Sequence, residues 1–224
     1  MSKFFVTLFI LFFSIFSYCQ KLSQISFLDG ARLSFFSIST DQGVLIRLSE
    51  EGKLLEWGTE VLSERYRYYA SKLQPFDIRT EYYETEDSAI KGKLKSIGTC
   101  FITYYGAYEE ETKRGKIKSM GPLQFDYYST YEEKSLRGKL KLIGNLLLEY
   151  YRPYENESYR GKLKSVGSVA IIYYTAFDDR YNAGKLKSIG PVPIAWYSEY
   201  DQSRGSLKSN NYRQFISGVT YILR

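Results

Sequence analysis

Gly-Lys-Leu-Lys-Ser-Ile-Gly, residues Gly92–Gly98, returns as GKIKSMG from Gly115, GKLKLIG from Gly138, GKLKSVG from Gly161 and GKLKSIG from Gly184, a step of 23 residues each time. A decayed copy, GSLKSNN, starts 21 residues on at Gly205. Each full copy is followed by an aromatic pair: Tyr104-Tyr105, Tyr127-Tyr128, Tyr150-Tyr151, Tyr173-Tyr174 and Trp196-Tyr197. A period this short means one small supersecondary unit stacked on its neighbours, since a unit of that size cannot bury an apolar face alone.

The register of the unit follows from its second glycine. It precedes Thr99, Pro122, Asn145, Ser168 or Pro191, and Gly followed by Thr, Asn or Ser suits a two-residue type II′ hairpin turn; Pro fits it less comfortably. A turn there sets Ile97 opposite Cys100, Met120 opposite Leu123, Ile143 opposite Leu146, Val166 opposite Val169 and Ile189 opposite Val192, all apolar. The pattern predicts an all-β fold, an antiparallel β-hairpin array forming an extended or curled meander sheet with about two strands per repeat. One long strand per repeat is the rival, because Leu94, Ser96, Gly98, Cys100, Ile102 and Tyr104 also alternate, but it places Gly-Pro in mid-strand at Gly121 and Gly190.

Extended outward, the same register sets Lys95 against Ile102 and Lys93 beside Tyr104, Lys116 beside Tyr127, Lys139 beside Tyr150, Lys162 beside Tyr173 and Lys185 beside Trp196. Lysine over an aromatic ring is a favourable cross-strand pair, about 0.5–1 kcal/mol when exposed. On the opposite face Gly92 meets Tyr105, an aromatic covering a strand glycine. In a shallow sheet the five Lys-aromatic pairs lie in one row about 9–10 Å apart, and these ten residues form the candidate binding surface.

Three segments are expected: a signal peptide over 1–19, a divergent N-terminal β cap over 20–79 and the β-hairpin repeats over 80–224. Lys3, the apolar run Phe4–Phe16 and the small residues Ser17 and Cys19 read as a secretory signal cleaved before Gln20. A lipidated Cys19 is the alternative, opposed by Tyr18. Ile25–Leu28, Ala31–Ser37, Gly43–Leu48 and Lys53–Trp57 read as short strands between Asp29-Gly30, Asp41-Gln42-Gly43 and Glu50-Glu51-Gly52 turns. Arg65–Pro75 has no period and reads as an irregular connection.

Composition narrows the chemistry. The 224 residues include 23 Tyr, 14 Phe and no His, so the commonest general base and metal ligand are missing. The mature chain keeps one cysteine, Cys100, in a predicted strand, which suits a buried inert thiol. Between hairpins run YEEETKR, YEEKSLR, YENESYR and FDDRYNA, with an acid six places before each glycine (Glu86, Glu109, Glu132, Glu155, Asp178) and a base just before it in most copies (Lys91, Arg114, Arg137, Arg160). Acid and base are expected to pair across the loop; a divalent-cation column is weaker, because Ca²⁺ sites gather several oxygens in one loop.

From about Glu50, which opens the GKLLEWG outline at Gly52–Gly58, to the end of the repeats, the chain resembles a group of uncharacterised secreted proteins of the Bacteroidota that carry GK(L/I/V)KSIG and YY repeats. The resemblance implies secretion and repeat architecture, with no activity attached. The period and Gly/Tyr content are also loosely similar to MORN-type hairpin repeats, whose Tyr-x-Gly pattern is not reproduced. The expected function is a secreted, non-catalytic β-repeat protein of the cell envelope, a structural or multivalent binding module for an envelope glycan or protein. No cofactor and no catalytic or metal site is expected. The net charge of +6 is too mild and too evenly offset to imply nucleic acid. An outer-membrane β-barrel or a lipid-anchored envelope protein is the alternative, the membrane entering only through Cys19 or a lipid-facing barrel wall.

Overall fold

The computed structural model describes residues 20–61, 72–208 and 212–224. The signal-peptide reading, the Cys19 alternative and most of the expected Arg65–Pro75 connection lie outside these residues. The N-terminal strands are β1 (Lys21–Leu28), β2 (Arg32–Ser39), β3 (Leu45–Leu48) and β4 (Leu54–Gly58), and β5 (Thr80–Tyr82) opens the repeats. Each repeat then contributes two strands: β6 (Leu94–Ile97) and β7 (Cys100–Tyr104), β8 (Ile117–Met120) and β9 (Leu123–Tyr127), β10 (Leu140–Ile143) and β11 (Leu146–Tyr150), β12 (Leu163–Val166) and β13 (Val169–Tyr173), β14 (Leu186–Ile189) and β15 (Val192–Pro193). A last hairpin, β16 (Arg213–Ile216) and β17 (Val219–Leu223), closes the chain.

The hairpin register is as the sequence implies. Ile97 pairs with Cys100, Met120 with Leu123, Ile143 with Leu146, Val166 with Val169 and Ile189 with Val192. Gly98 has φ 55°, and among the described residues only Asp29 and Ser217 are non-glycines with positive φ, so the second turn residue keeps a negative φ, as type II′ requires. Proline, locked near −65°, therefore fits Pro122 and Pro191 well, contrary to the sequence expectation. The break at each turn excludes one long strand per repeat.

Beyond the turn the pairing changes partner. Within a hairpin only two residue pairs are in register, Ser96 with Phe101 and Ile97 with Cys100, so the ladder does not extend to Lys95 and Ile102. Ile102 instead pairs with Met120, Thr103 with Ser119 and, after a bulge, Tyr104 with Ile117 of the next repeat. Repeats are thus joined by longer ladders than the ones inside them, and β5 to β15 form one 11-stranded antiparallel meander with β5 and β15 at its edges. Gly92 does not face Tyr105: its N–H donates to Tyr83 O at 2.9 Å, while Tyr105 O accepts from Gly115 at 2.8 Å. The bulge shifts the glycine onto the preceding repeat.

The N-terminal segment, expected as a divergent β cap, adds no strand to the meander. Its strands make a second, six-stranded sheet in the order β16-β17-β1-β2-β3-β4, in which the last hairpin of the chain joins the first strands through a parallel β1–β17 pair. The two sheets share one apolar core: Ile25, Phe36, Ile38 and Ile46 from the first sheet, Ile102, Phe125, Leu148 and Ile171 from the repeats. A meander alone would leave the inward side of β9, where Leu123, Phe125 and Tyr127 alternate with Gln124 and Asp126, in water. Burying that face at about 25 cal/mol per Å² is the main reason for a second layer.

Among the described residues three turns of the small sheet also hydrogen-bond the repeats, the Asp41-Gln42 turn by accepting from the Thr99 hydroxyl and N–H at 3.1 and 3.2 Å and two others through the backbone. Leu186 N–H donates to Gly30 O at 2.7 Å and Leu140 N–H to Glu50 O at 2.8 Å. Lys139 Nζ lies 3.1 Å from Glu50 Oε1, so the contact at Glu50 carries an ion pair.

Candidate functional site

The expected Lys-aromatic pairs all form. The ammonium lies over the ring at 5.1 Å for Lys93 and Tyr104, 4.8 Å for Lys116 and Tyr127, 4.7 Å for Lys139 and Tyr150, 5.1 Å for Lys162 and Tyr173, and 5.0 Å for Lys185 and Trp196. Their location differs from an exposed row. Tyr127, Tyr150, Tyr173 and Trp196 are buried in the shared core and Tyr104 is half-buried. The second layer, which no local pattern announces, lies over them.

These pairs act as structural staples. Tyr104, Tyr127 and Tyr173 donate their hydroxyls to Leu94 O, Ile117 O and Leu163 O at 2.9, 2.9 and 3.0 Å, and Trp196 Nε1 donates to Leu186 O at 2.7 Å. Each lysine reaches the next repeat's glycine carbonyl, as Lys139 to Gly161 at 2.9 Å and Lys162 to Gly184 at 2.5 Å; Lys93, Lys116 and Lys185 do the same to Gly115, Gly138 and Gly205. Burial lowers the pKa of Lys93, Lys116, Lys162 and Lys185. Two clefts run beside this column. One, about 450 Å³, is lined by Lys93, Tyr104, Lys116 and the Glu51–Leu54 turn; the other, about 730 Å³, is lined by Asp29, Lys185, Trp196 and Tyr212.

Tyr150 departs from its repeat. In this copy the Glu50 turn inserts, and the buried Tyr150 hydroxyl has no hydrogen-bond partner among the described residues. Tyr150→Phe should therefore leave the unfolding midpoint in urea unchanged or raised, whereas Tyr127→Phe and Tyr173→Phe should each cost about 1 kcal/mol or more through a lost buried bond. Equal losses in all three would overturn this distinction.

The second tyrosine of each pair ties repeats together. Tyr83, Tyr105, Tyr128, Tyr151 and Tyr174 donate to Ile102 O, Phe125 O, Leu148 O, Ile171 O and Ile194 O at 2.8 to 3.2 Å. Tyr83 makes the same bond as its later counterparts, in keeping with repeats that begin at about Thr80. The strand lysines Lys118, Lys141, Lys164 and Lys187 lie over Tyr105, Tyr128, Tyr151 and Tyr174.

The acidic column also pairs differently from expectation. Glu109, Glu132, Glu155 and Asp178 meet Lys118, Lys141, Lys164 and Lys187 at 3.8, 3.2, 3.1 and 2.5 Å, rather than the bases that end the loops. The reason is loop closure. Each loop folds so that its acid lies above the following strand; Asp178 also accepts from the Thr175 N–H and hydroxyl at 2.9 and 2.8 Å. With Lys187 the foremost cause, its pKa is held down to about 2. Each loop contributes one such lysine-paired carboxylate, and among the described residues no group of three or more His, Cys, Asp or Glu could hold a metal ion. No helix among them is long and apolar enough to cross a membrane. Cys100 is fully buried, and burial, with Asp41 adding to it, pushes its thiol up to about 11.

What lies in water is a different aromatic row. Tyr108, Tyr131, Tyr154, Phe177 and Tyr200 are 104%, 95%, 84%, 98% and 90% exposed. They recur every 23 residues at the tips of the long loops, so they share one edge of the meander, opposite the tight turns. Each is followed directly by an acid: Glu109, Glu132, Glu155, Asp178 or Asp201. The period contained this signal, but the adjacent doublets, equally periodic and more aromatic, drew the assignment. Neither a protein-family model, nor a curated protein, nor a solved structure matches this chain.

Proposed function

We propose that the chain is an exported, non-catalytic β-repeat module of the cell envelope that binds an envelope polymer or protein through several equivalent sites. The observation that carries this reading is the repetition of one exposed group, an aromatic followed by a carboxylate, at the same place in five successive loops. Single exposed apolar side chains are ordinary; five held in one row are a surface. Several weak contacts on one rigid sheet add avidity without any tight individual site. Export rests on Lys3, the Phe4–Phe16 run and Ser17-Tyr18-Cys19.

Sedimentation of the mature chain with isolated envelopes of its native host tests the reading. Retention that a large excess of an isolated single-loop peptide fails to displace is expected of multivalent attachment. A chain that stays wholly in the supernatant overturns it.

A further inference from the structure

We infer that the loop-tip row Tyr108, Tyr131, Tyr154, Phe177 and Tyr200 is a stacking platform for a neutral β-1,4-linked glycan chain. This deepens the reading above and rests on it.

Spacing is the first support. Successive tips are two strands apart in one meander, about 9–10 Å before twist is counted. A β-1,4-linked glycan presents the same sugar face every second residue, a distance of the same order, so one chain offers a ring to each tip in turn. Sheet twist rotates successive tips in one sense, and an extended glycan with free glycosidic torsions follows a gradual rotation more readily than a flat rigid surface does.

Organisation of the loops is the second. Each is closed by paired backbone bonds, Tyr105 N–H to Lys116 O at 2.9 Å and Gly115 N–H to Tyr105 O at 2.8 Å in the first, with equivalents at Tyr128, Tyr151, Tyr174 and Tyr197. Acids of the preceding loop then hold the residue just before the tip: Asp87 Oδ2 accepts from Ala107 N–H at 3.1 Å, and Glu110 Oε1 from Thr130 N–H at 2.6 Å. Aromatics on tethered loops lose little freedom on binding.

Charge selects the occupant. Acids and bases nearly balance in these loops, Glu109, Glu110 and Glu111 against Lys113 and Arg114, Glu132 and Glu133 against Lys134 and Arg137, Glu155 and Glu157 against Arg152 and Arg160, and Asp178 and Asp179 against Arg180. The row therefore offers no basic excess to hold nucleic acid, an anionic polysaccharide or the anionic surface of a lipid bilayer. Sugar hydroxyls, by contrast, donate to carboxylates, and the apolar faces of pyranose rings cover aromatic rings. Glu132, Glu155 and Asp178 are already neutralised by Lys141, Lys164 and Lys187, so they offer lone pairs with little net charge.

The test uses the mature chain and the triple variant Tyr131→Ser, Tyr154→Ser, Phe177→Ser, with circular dichroism and melting curves confirming the unchanged fold expected of exposed positions. Binding is measured to insoluble chitin and cellulose, to peptidoglycan sacculi and to chito-oligosaccharides of increasing length. Wild type should be retained on at least one neutral β-1,4 matrix. Its affinity should rise roughly tenfold or more once the oligosaccharide spans two tips, and the folded triple variant should lose roughly tenfold or more. Retention on sacculi alone identifies the peptidoglycan strand as the source of that chemistry; retention on chitin or cellulose identifies a free polysaccharide. Wild type that sediments with envelopes but binds no glycan overturns this inference and leaves the broader function standing. A triple variant that binds as well as wild type overturns it too, as does capture by anionic vesicles or by protein alone. A wild-type chain that binds neither envelopes nor glycans removes both.

Discussion

Gly30→Val should lower stability by about 3 kcal/mol or more, a melting shift of about 10 °C for a domain of this size. Asp29 and Gly30 both adopt positive φ, 54° and 60°, in the turn between β1 and β2, and a β-branched residue there is strained by about 1–2 kcal/mol. A Cβ on Gly30 would also enter the Trp196 ring. Moving that ring breaks its 2.7 Å bond to Leu186 O and disturbs the Leu186 N–H bond to Gly30 O, one of the turn contacts between the layers. Gly43→Val is the control. Its φ of 74° imposes the same kind of strain, but nothing lies within 4 Å of the added Cβ, so the loss should stay near the strain alone. If the two variants melt together, the Gly30 turn does not hold the sheets as described.

Raising the pH above 10 should unfold the chain cooperatively, with tyrosinate absorbance rising in step with loss of the β-sheet dichroism. Burial raises the pKa of Tyr104, Tyr127, Tyr150 and Tyr173, and pushes Tyr221 up to about 12, from an ordinary value of 10.0. A phenol whose folded pKa exceeds its unfolded value contributes stability that is intact below pH 10. That contribution is lost as the pH rises toward the folded value, since the unfolded chain releases its proton first. A tenfold difference in proton affinity between the folded and unfolded chain is worth about 1.4 kcal/mol, and several such phenols share one core. Lys93, Lys116, Lys162 and Lys185 act in the opposite sense: their folded pKa is lowered, so deprotonation on the way up relieves a desolvation cost. The tyrosines outnumber them and are the more deeply buried, so the net direction is loss. Tyrosines that ionise completely while the sheet signal persists would show that the aromatic column is open to water.

The sharpest local agreement between sequence and structure, the pairing of Ile97 with Cys100 and its four equivalents, concerns two residues on each side of a turn. Glycine followed by a residue of negative φ leaves one hairpin geometry open, and the apolar pairs then agree with it. The Lys-aromatic contacts were legible for the same reason. Which strand each hairpin meets next was not, because the ladder from Ile102 to Met120 spans a 12-residue loop whose closure through Gly115 depends on a bulge.

The sequence by itself determined the period, the strand pairs, the turn type and the identity of the groups that repeat. Tertiary structure alone decided which of those groups meet water. Both aromatic rows, Tyr104 to Trp196 and Tyr108 to Tyr200, recur with the same step, and nothing local distinguishes a ring pointing into a core from one pointing into solvent. The second sheet, built from residues at the two ends of the chain, covers the first row and leaves the second bare. Burial is a property of what lies opposite, and that partner is supplied by contacts far apart in sequence.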